Sequence, residues 1–147
     1  MDIVMRPIGV LHSPFTGLHG MPIQASRSEA RGFVELYPEF EDGLADIEGF
    51  SHIHLLYALH KSSGYSLRVQ PFLDDHERGL FATRHPRRPN ALGMSIVRLI
   101  SREGNMLNVE GLDMLDHTPL LDIKPYLPEF DVREDVRTGW YGTRSKQ

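Results

Sequence analysis

The sequence contains no cysteine, which excludes disulfides and thiolate chemistry and leaves any zinc site to histidine and carboxylate. No apolar run approaches the roughly 20 residues of a helical membrane span, and Asp2 and Arg6 near the start do not fit a secretory leader. A cytoplasmic protein without a membrane segment is expected. A basic excess is also missing: 16 Lys and Arg stand against 20 Asp and Glu, a formal net charge of −4, which argues against broad electrostatic binding of nucleic acid. No Gly-x-Gly-x-x-Gly follows a strand and opens a helix, so a Rossmann site is unsupported. Neither a P-loop nor a Gly-x-Ser-x-Gly elbow occurs. There is no long amphipathic helix, no repeat and no low-complexity tract.

What is present amounts to one domain's worth of chain, 147 residues, enough to bury about two-thirds of its unfolded surface. Its charge is unevenly spread. Glu35 to Glu48 holds six acids and no base, while Arg78 to Arg102 holds six arginines and no acid. A basic segment in an acidic chain is compatible with local contact to a phosphate or another anion. Two ordinary solvated stretches are the plainer alternative.

Ile3 to His12 reads as a strand interrupted by Pro7, and Gly32 to Tyr37 as a second. Pro38 to Gly49 is turn-rich, with one helical turn around Leu44 to Ile47. From His52 to His60 the pattern alternates, Ile53, Leu55, Tyr57 and Leu59 sharing one face and His52, His54, Leu56, Ala58 and His60 the other. A short strand is expected near Leu67 to Val69. Ser95 to Arg102 and Met106 to Val109 flank Gly104-Asn105, a two-residue hairpin signal. Leu120 to Ile123 reads as a last short strand. Many short strands with Gly, Pro, Asn and Asp turns predict a mostly β fold, a small single-domain barrel or sandwich. The domain is expected over residues 1–130. Residues 131–147 read as a tail, loose until Trp140 or Tyr141 docks it, for instance on a partner subunit.

Three constellations can carry chemistry. Phe81 to Gly93 contains Pro86 and Pro89, which stiffen a loop bearing Arg84, Arg87, Arg88 and Asn90. Such a loop suits a planar or anionic ligand, and a solvated basic loop is the alternative. Gly111 to Pro128 sets Asp113, Asp116, Asp122, Lys124 and Tyr126 among apolar residues. Acids so placed are either paired or functional, because burying an unpaired charge is costly. Asp116 stands beside a turn before Pro119, where polar groups commonly reach a ligand, whereas Asp122 and Lys124 can simply pair. His52 and His54 point the same way from one strand, and with His60, His12 or His117 they offer a workable zinc geometry. Hydrogen-bonded structural histidines are the commoner outcome, and no metal is assigned.

Read together, these segments resemble the TrmO family of tRNA methyltransferases, also called TsaA-like or YaeB-like proteins. Ile8-Gly9-Val10 with His12-Ser13-Pro14-Phe15 is similar to the family's opening, and residues 38–52, PEFEDGLADIEGFSH, to its acidic stretch. Phe81-Ala82-Thr83-Arg84 leading to Arg88-Pro89-Asn90 resembles its most distinctive loop, and Gly111-Leu112-Asp113 through Thr118-Pro119 to Asp122-Ile123-Lys124-Pro125-Tyr126 its last block. The resemblance implies a small β-barrel that binds S-adenosyl-L-methionine without a Rossmann sheet and works as a homodimer. It implies methylation of N6 of threonylcarbamoyladenosine beside the anticodon of tRNA. The donor pocket would draw on Ala25, Ser26 and Arg27, on His60 and Lys61, and on Arg84 and Met94. Glu110, Gly111, Leu112 and Asp113 would complete it. Asp116, Lys124 and Tyr126 are the catalytic candidates on the acceptor side. A different RNA or a small molecule as acceptor, or a histidine-based zinc protein, are the alternatives.

Three positions depart from the family pattern. His117 stands where glycine usually follows the aspartate, and Ala91-Leu92 replaces Pro-Ile after Arg-Pro-Asn. Larger members carry a further C-terminal domain that this sequence does not include, so its RNA contact surface is expected to be smaller or shared across a dimer.

Overall fold

Alternation of apolar residues in short runs produces strands, and here six of them close on themselves. The computed structural model describes residues 1–17, 29–72 and 74–144. Strands β1 (Gly9–His12), β2 (Arg31–Leu36), β3 (His52–Ala58), β6 (Leu92–Glu103), β7 (Met106–Glu110) and β8 (Thr118–Pro125) form a closed barrel in the order β1-β2-β7-β6-β3-β8. Every pairing is antiparallel, and β1 returns to β8 through Gly9–Leu120, Val10–Pro119 and Leu11–Thr118.

One residue in two points inward. Leu11, Val34, Ile53, Leu55, Val97, Leu107, Val109 and Leu120 fill the interior and are buried. Each such aliphatic side chain contributes roughly 1.5–3 kcal/mol of transfer free energy. Leu44 and Ile47, from 3-10 turns at Pro38–Leu44 and Ile47–Gly49, add to this core together with Leu112 and Met114.

The alternation read for β3 is present, with Ile53, Leu55 and Tyr57 buried and the histidines on the outer face. The hairpin signal is also correct. Gly104 adopts φ +63°, the left-handed backbone that the first central position of a type II′ turn requires, and Glu103 faces Met106 across it.

Several strand boundaries differ from expectation, among them that of β6, which begins at Leu92 rather than Ser95. β1 begins at Gly9 rather than Ile3; Pro7 has no N–H to give a ladder, and Ile3 and Val4 are exposed. β8 is longer than the run Leu120–Ile123, because it changes partner along its length, from β1 to β3. The strand near Val69 is the two-residue β4 (Arg68–Val69), which pairs with an unanticipated β5 (Arg78–Gly79) in a separate small sheet.

The chain divides into two compact units, residues 1–60 with 92–126 and residues 61–91 with 127–147. The first unit is the barrel. The second contains β4, β5, the arginine-rich loop and two short helical turns, α1 (Pro128–Asp131) and α2 (Gly139–Gly142). Within it Trp140 donates its indole N–H to the Ala82 carbonyl at 2.6 Å, and the Arg78 guanidinium lies 5.7 Å from the Trp140 ring centre. Buried Asp74 accepts from Arg78 Nε at 2.7 Å. That bond holds its carboxyl down to about 2, against the burial that acts to raise it.

Candidate functional site

The two motif blocks around His12 and Asp116 lie about a hundred residues apart in sequence and are stitched together at one end of the β1–β2 pair. The Ser13 N–H donates to Asp116 Oδ1 at 3.0 Å, and the Ser13 hydroxyl to the Met114 carbonyl at 2.6 Å. The Asp116 N–H in turn donates to the Phe15 carbonyl at 2.7 Å. These bonds fix the carboxylate of Asp116 at the head of β8, with its side chain 24% exposed. His12 lies beside it, Nδ1 at 3.7 Å from Asp116 Oδ1, and stacks on Phe33 with ring centres 4.4 Å apart. Its other nitrogen, Nε2, is 2.8 Å from Glu35 Oε1. A carboxylate can only accept, so Nε2 carries the proton. His117 Nε2 approaches Asp116 Oδ2 at 3.3 Å.

His117 occupies φ +65°. This is the left-handed region, which favours glycine and costs other residues about 1 kcal/mol. The glycine expected here by family resemblance thus has a backbone reason.

A second polar cluster surrounds Asp113. The Ser95 hydroxyl donates to Asp113 Oδ1 at 2.7 Å, the Tyr57 hydroxyl lies 3.3 Å from the same oxygen, and Tyr57 and Ser95 are 2.7 Å apart. Burial pushes the Tyr57 phenol well above its ordinary value, and the Asp113 charge adds to the rise while the Ser95 bond opposes it. Because the folded-state value is raised, the stabilisation is fully present below the unfolded value near pH 10 and is lost as pH climbs beyond it. In an alkaline titration followed by phenolate absorbance, Tyr57 is expected to stay protonated past pH 10 until the barrel opens. Tyr57→Phe should remove that late phase, and its persistence would show that another phenol carries it.

The other candidates fall in several places. Glu110 Oε2 accepts from Arg31 Nε at 3.0 Å. Gly111 turns the chain at φ +105°, and its N–H and that of buried Leu112 both donate to the Ala30 carbonyl. Met94 is 64% exposed and points away from its inward neighbour Ser95, so its side chain faces the barrel exterior. His60 lies just beyond β3 in the barrel unit, whereas Lys61 and Arg84 belong to the second unit. Ala25, Ser26 and Arg27 lie outside the described residues. The loop arginines are not equivalent: Arg88 Nη1 donates to the Thr83 and His85 carbonyls at 3.0 Å each, so its guanidinium braces its own loop.

Asp116 is not brought to Lys124 and Tyr126 by the barrel. Lys124 Nζ pairs with Asp122 Oδ2 at 3.2 Å on the outer face of β8, and Tyr126 contacts the His54 and His52 rings. The six residue steps of strand from Thr118 to Lys124 span roughly 20 Å. His52 and His54 make these polar and aromatic contacts instead of meeting His60; among the described residues the three do not form a metal-capable group. An apolar hollow of about 390 Å³, lined in part by Ile8, Leu36, Phe40 and Leu44, has Asp122 in its wall but none of the donor-side or catalytic candidates. It lies where Gly9 faces Leu36, away from His12 and Phe33.

Sequence reasoning missed Ser13, Glu35, Tyr57 and Ser95 as site residues. Ser95 had a readable signal, since it shares the inward register with Val97 and Leu99 and a polar side chain there needs a partner.

The family described as tRNA-methyltransferase O N-terminal domain matches residues 10–132. A probable S-adenosyl-L-methionine-binding protein of Pyrococcus abyssi is 55% identical over 139 residues, covering 94% of this chain and 76% of its own. The human tRNA (adenine(37)-N6)-methyltransferase is 35% identical over 143 residues, and the match spans 92% of this chain but 32% of the human protein. The crystal structure of TrmO from Pseudomonas aeruginosa superposes with a TM-score of 0.79 at 39% identity, over 95% of this chain and 62% of that one. The chain therefore spans about a third of the human relative and about three-fifths of the solved bacterial one. On its fold and on the span of this match, the chain belongs to the family of tRNA-methyltransferase O N-terminal domains.

Proposed function

We propose that this chain is an S-adenosyl-L-methionine-dependent tRNA methyltransferase acting on N6 of threonylcarbamoyladenosine beside the anticodon, as a cytoplasmic homodimer. The observation that carries the reading is the stitching of His12–Phe15 to Met114–Asp116, which assembles two family motif blocks around one oriented carboxylate. The donor supplies an electrophilic methyl group, and in-line displacement then depends mainly on positioning. Asp116 takes the proton from the acceptor nitrogen, directly or through a water. Glu110 and Asp113, flanking the turn at Gly111, present an acceptor-rich edge suited to the hydroxyl and amino groups of a nucleoside. Ala25, Ser26, Arg27, His60, Lys61, Arg84, Met94 and Leu112 complete the donor side in this reading. Lys124, with Tyr126, binds the substrate's carboxylate or offsets charge developing on its ureido oxygen.

Two features support a dimer. Leu92, Met94, Ile96 and Ile100 form an exposed apolar row on the outer face of β6. The length of strand between Asp116 and Lys124 also favours a site in which one protomer supplies the carboxylate and its partner the lysine.

Calorimetric titration of the metal-free protein with S-adenosylhomocysteine tests the donor class. One saturable site per chain is expected, weakened at least tenfold in Arg84→Ala. No binding well above micromolar ligand would overturn the reading. If the acceptor is tRNA, its affinity should fall steeply as salt rises; a flat salt dependence would point to a small-molecule acceptor, which the net charge of −4 would suit.

A further inference from the structure

We propose that His12, Asp116 and His117 form a binding site for a divalent transition-metal ion of the zinc class. Each offers one ligand atom, and the three atoms lie within 4.8 Å of one another. Zinc bonds to nitrogen and oxygen are about 2.0–2.2 Å long, which places neighbouring tetrahedral ligands roughly 3.4 Å apart. The carboxylate already lies near that spacing from each ring, but through different oxygens, Oδ1 at 3.7 Å from His12 Nδ1 and Oδ2 at 3.3 Å from His117 Nε2. The remaining edge closes by rotation of His117, whose side chain is 73% exposed.

The surroundings are those of a ligand set rather than of three surface residues. Glu35 Oε1, 2.8 Å from His12 Nε2, places the proton on that nitrogen and turns the Nδ1 lone pair toward Asp116. A carboxylate behind the far nitrogen is the usual support of a metal-bound imidazole. Phe33 stacks on the His12 ring and the Ser13 N–H holds Asp116 Oδ1, so two of the three ligands are fixed beforehand. The third rests on strained backbone: φ +65° at His117 swings its ring edge-on to His12, with ring centres 5.3 Å apart. At 3.7 Å the His12 Nδ1–Asp116 Oδ1 separation is too long for a hydrogen bond, and a cation satisfies both atoms together. Two imidazoles and one carboxylate favour zinc, cobalt or nickel over magnesium and calcium, and leave a coordination position open.

Metal binding needs no methyl transfer, but the two compete for Asp116: in the proposed function an occupied site engages its lone pairs and withdraws the base. Calorimetric titration of metal-free protein with zinc chloride, and separately with magnesium chloride, tests it without an activity assay. One zinc per chain and no magnesium heat are expected. Affinity should fall at least tenfold in His117→Gly, a substitution that suits the left-handed backbone and preserves the turn. Glu35→Ala should cost about 10–100-fold through the unsupported imidazole. Absence of saturable zinc binding overturns the proposal. So does zinc binding that His117→Gly leaves unchanged but His52→Ala abolishes, because the ion would then sit on β3.

Discussion

Replacing Asp116 with asparagine is expected to lower turnover by about 10²–10⁴-fold, the usual range for losing a general base, while leaving donor affinity unchanged. Asparagine is nearly the same shape, and its amide oxygen can still accept the Ser13 N–H that now reaches Asp116 Oδ1 at 3.0 Å. The neighbouring links, Asp116 N–H to Phe15 carbonyl and Ser13 hydroxyl to Met114 carbonyl, involve no carboxylate and should persist. What disappears is a negative group able to take a proton. Single-turnover methyl transfer to tRNA, set beside calorimetric affinity for S-adenosylhomocysteine, separates the roles. An unchanged rate would remove Asp116 from the chemistry. Equal losses of rate and donor affinity would make it a structural residue.

Gly32→Ala is expected to destabilise the barrel by about 3 kcal/mol, the upper part of the overpacking range, and to lower the melting temperature by roughly 10 °C for a chain of this size. A Cβ at Gly32 would lie 2.0 Å from the His12 carbonyl oxygen and 2.6 Å from Leu112 Cδ1. The first obstacle is backbone, held in register by Phe33 opposite His12 and Val34 opposite Leu11, so it cannot swing aside as a long side chain would. Relief requires β1 to separate from β2, which also displaces His12 from Glu35 and Asp116. Gly43→Ala is the control, because nothing lies within 4 Å of a Cβ there. Equal melting temperatures for the two variants would show that the β1–β2 contact yields more readily than its geometry implies.

Local features of the fold were legible where one face is core and the other is not. The β3 alternation and the Gly104 turn are of that kind, the first set by inward Ile53, Leu55 and Tyr57 and the second by a φ of +63°. β5 was not legible, since a strand of two residues, Arg78–Gly79, carries no period. Nor does any local pattern record that Leu11 faces Thr118; the strand and turn pattern left barrel and sandwich open, and family resemblance decided for the barrel. In the candidate site, Asp116 was visible from its place before a proline turn. Ser13 and Glu35 were not, because one acts through its backbone N–H and the other from the partner strand β2. Lys124 and Asp116 share a motif block, yet a run of extended chain separates residues that neighbour one another in the motif.

The three-pair seam between β1 and β8 has a consequence for synthesis. When Leu36 has been added, β1 can pair with β2, but the other side of β1 waits for residues 118–120. At the usual 5–20 residues per second the delay is about 4–17 s. During it the nascent chain carries an unpaired strand edge, which is open to association with other chains. The brevity of β1, four residues, limits what that edge can recruit. The segment that ends the delay directly follows Asp116, so this carboxylate is seated beside His12 and Ser13 by the same event that closes the wall. A half-made chain has a lining but no reactive centre.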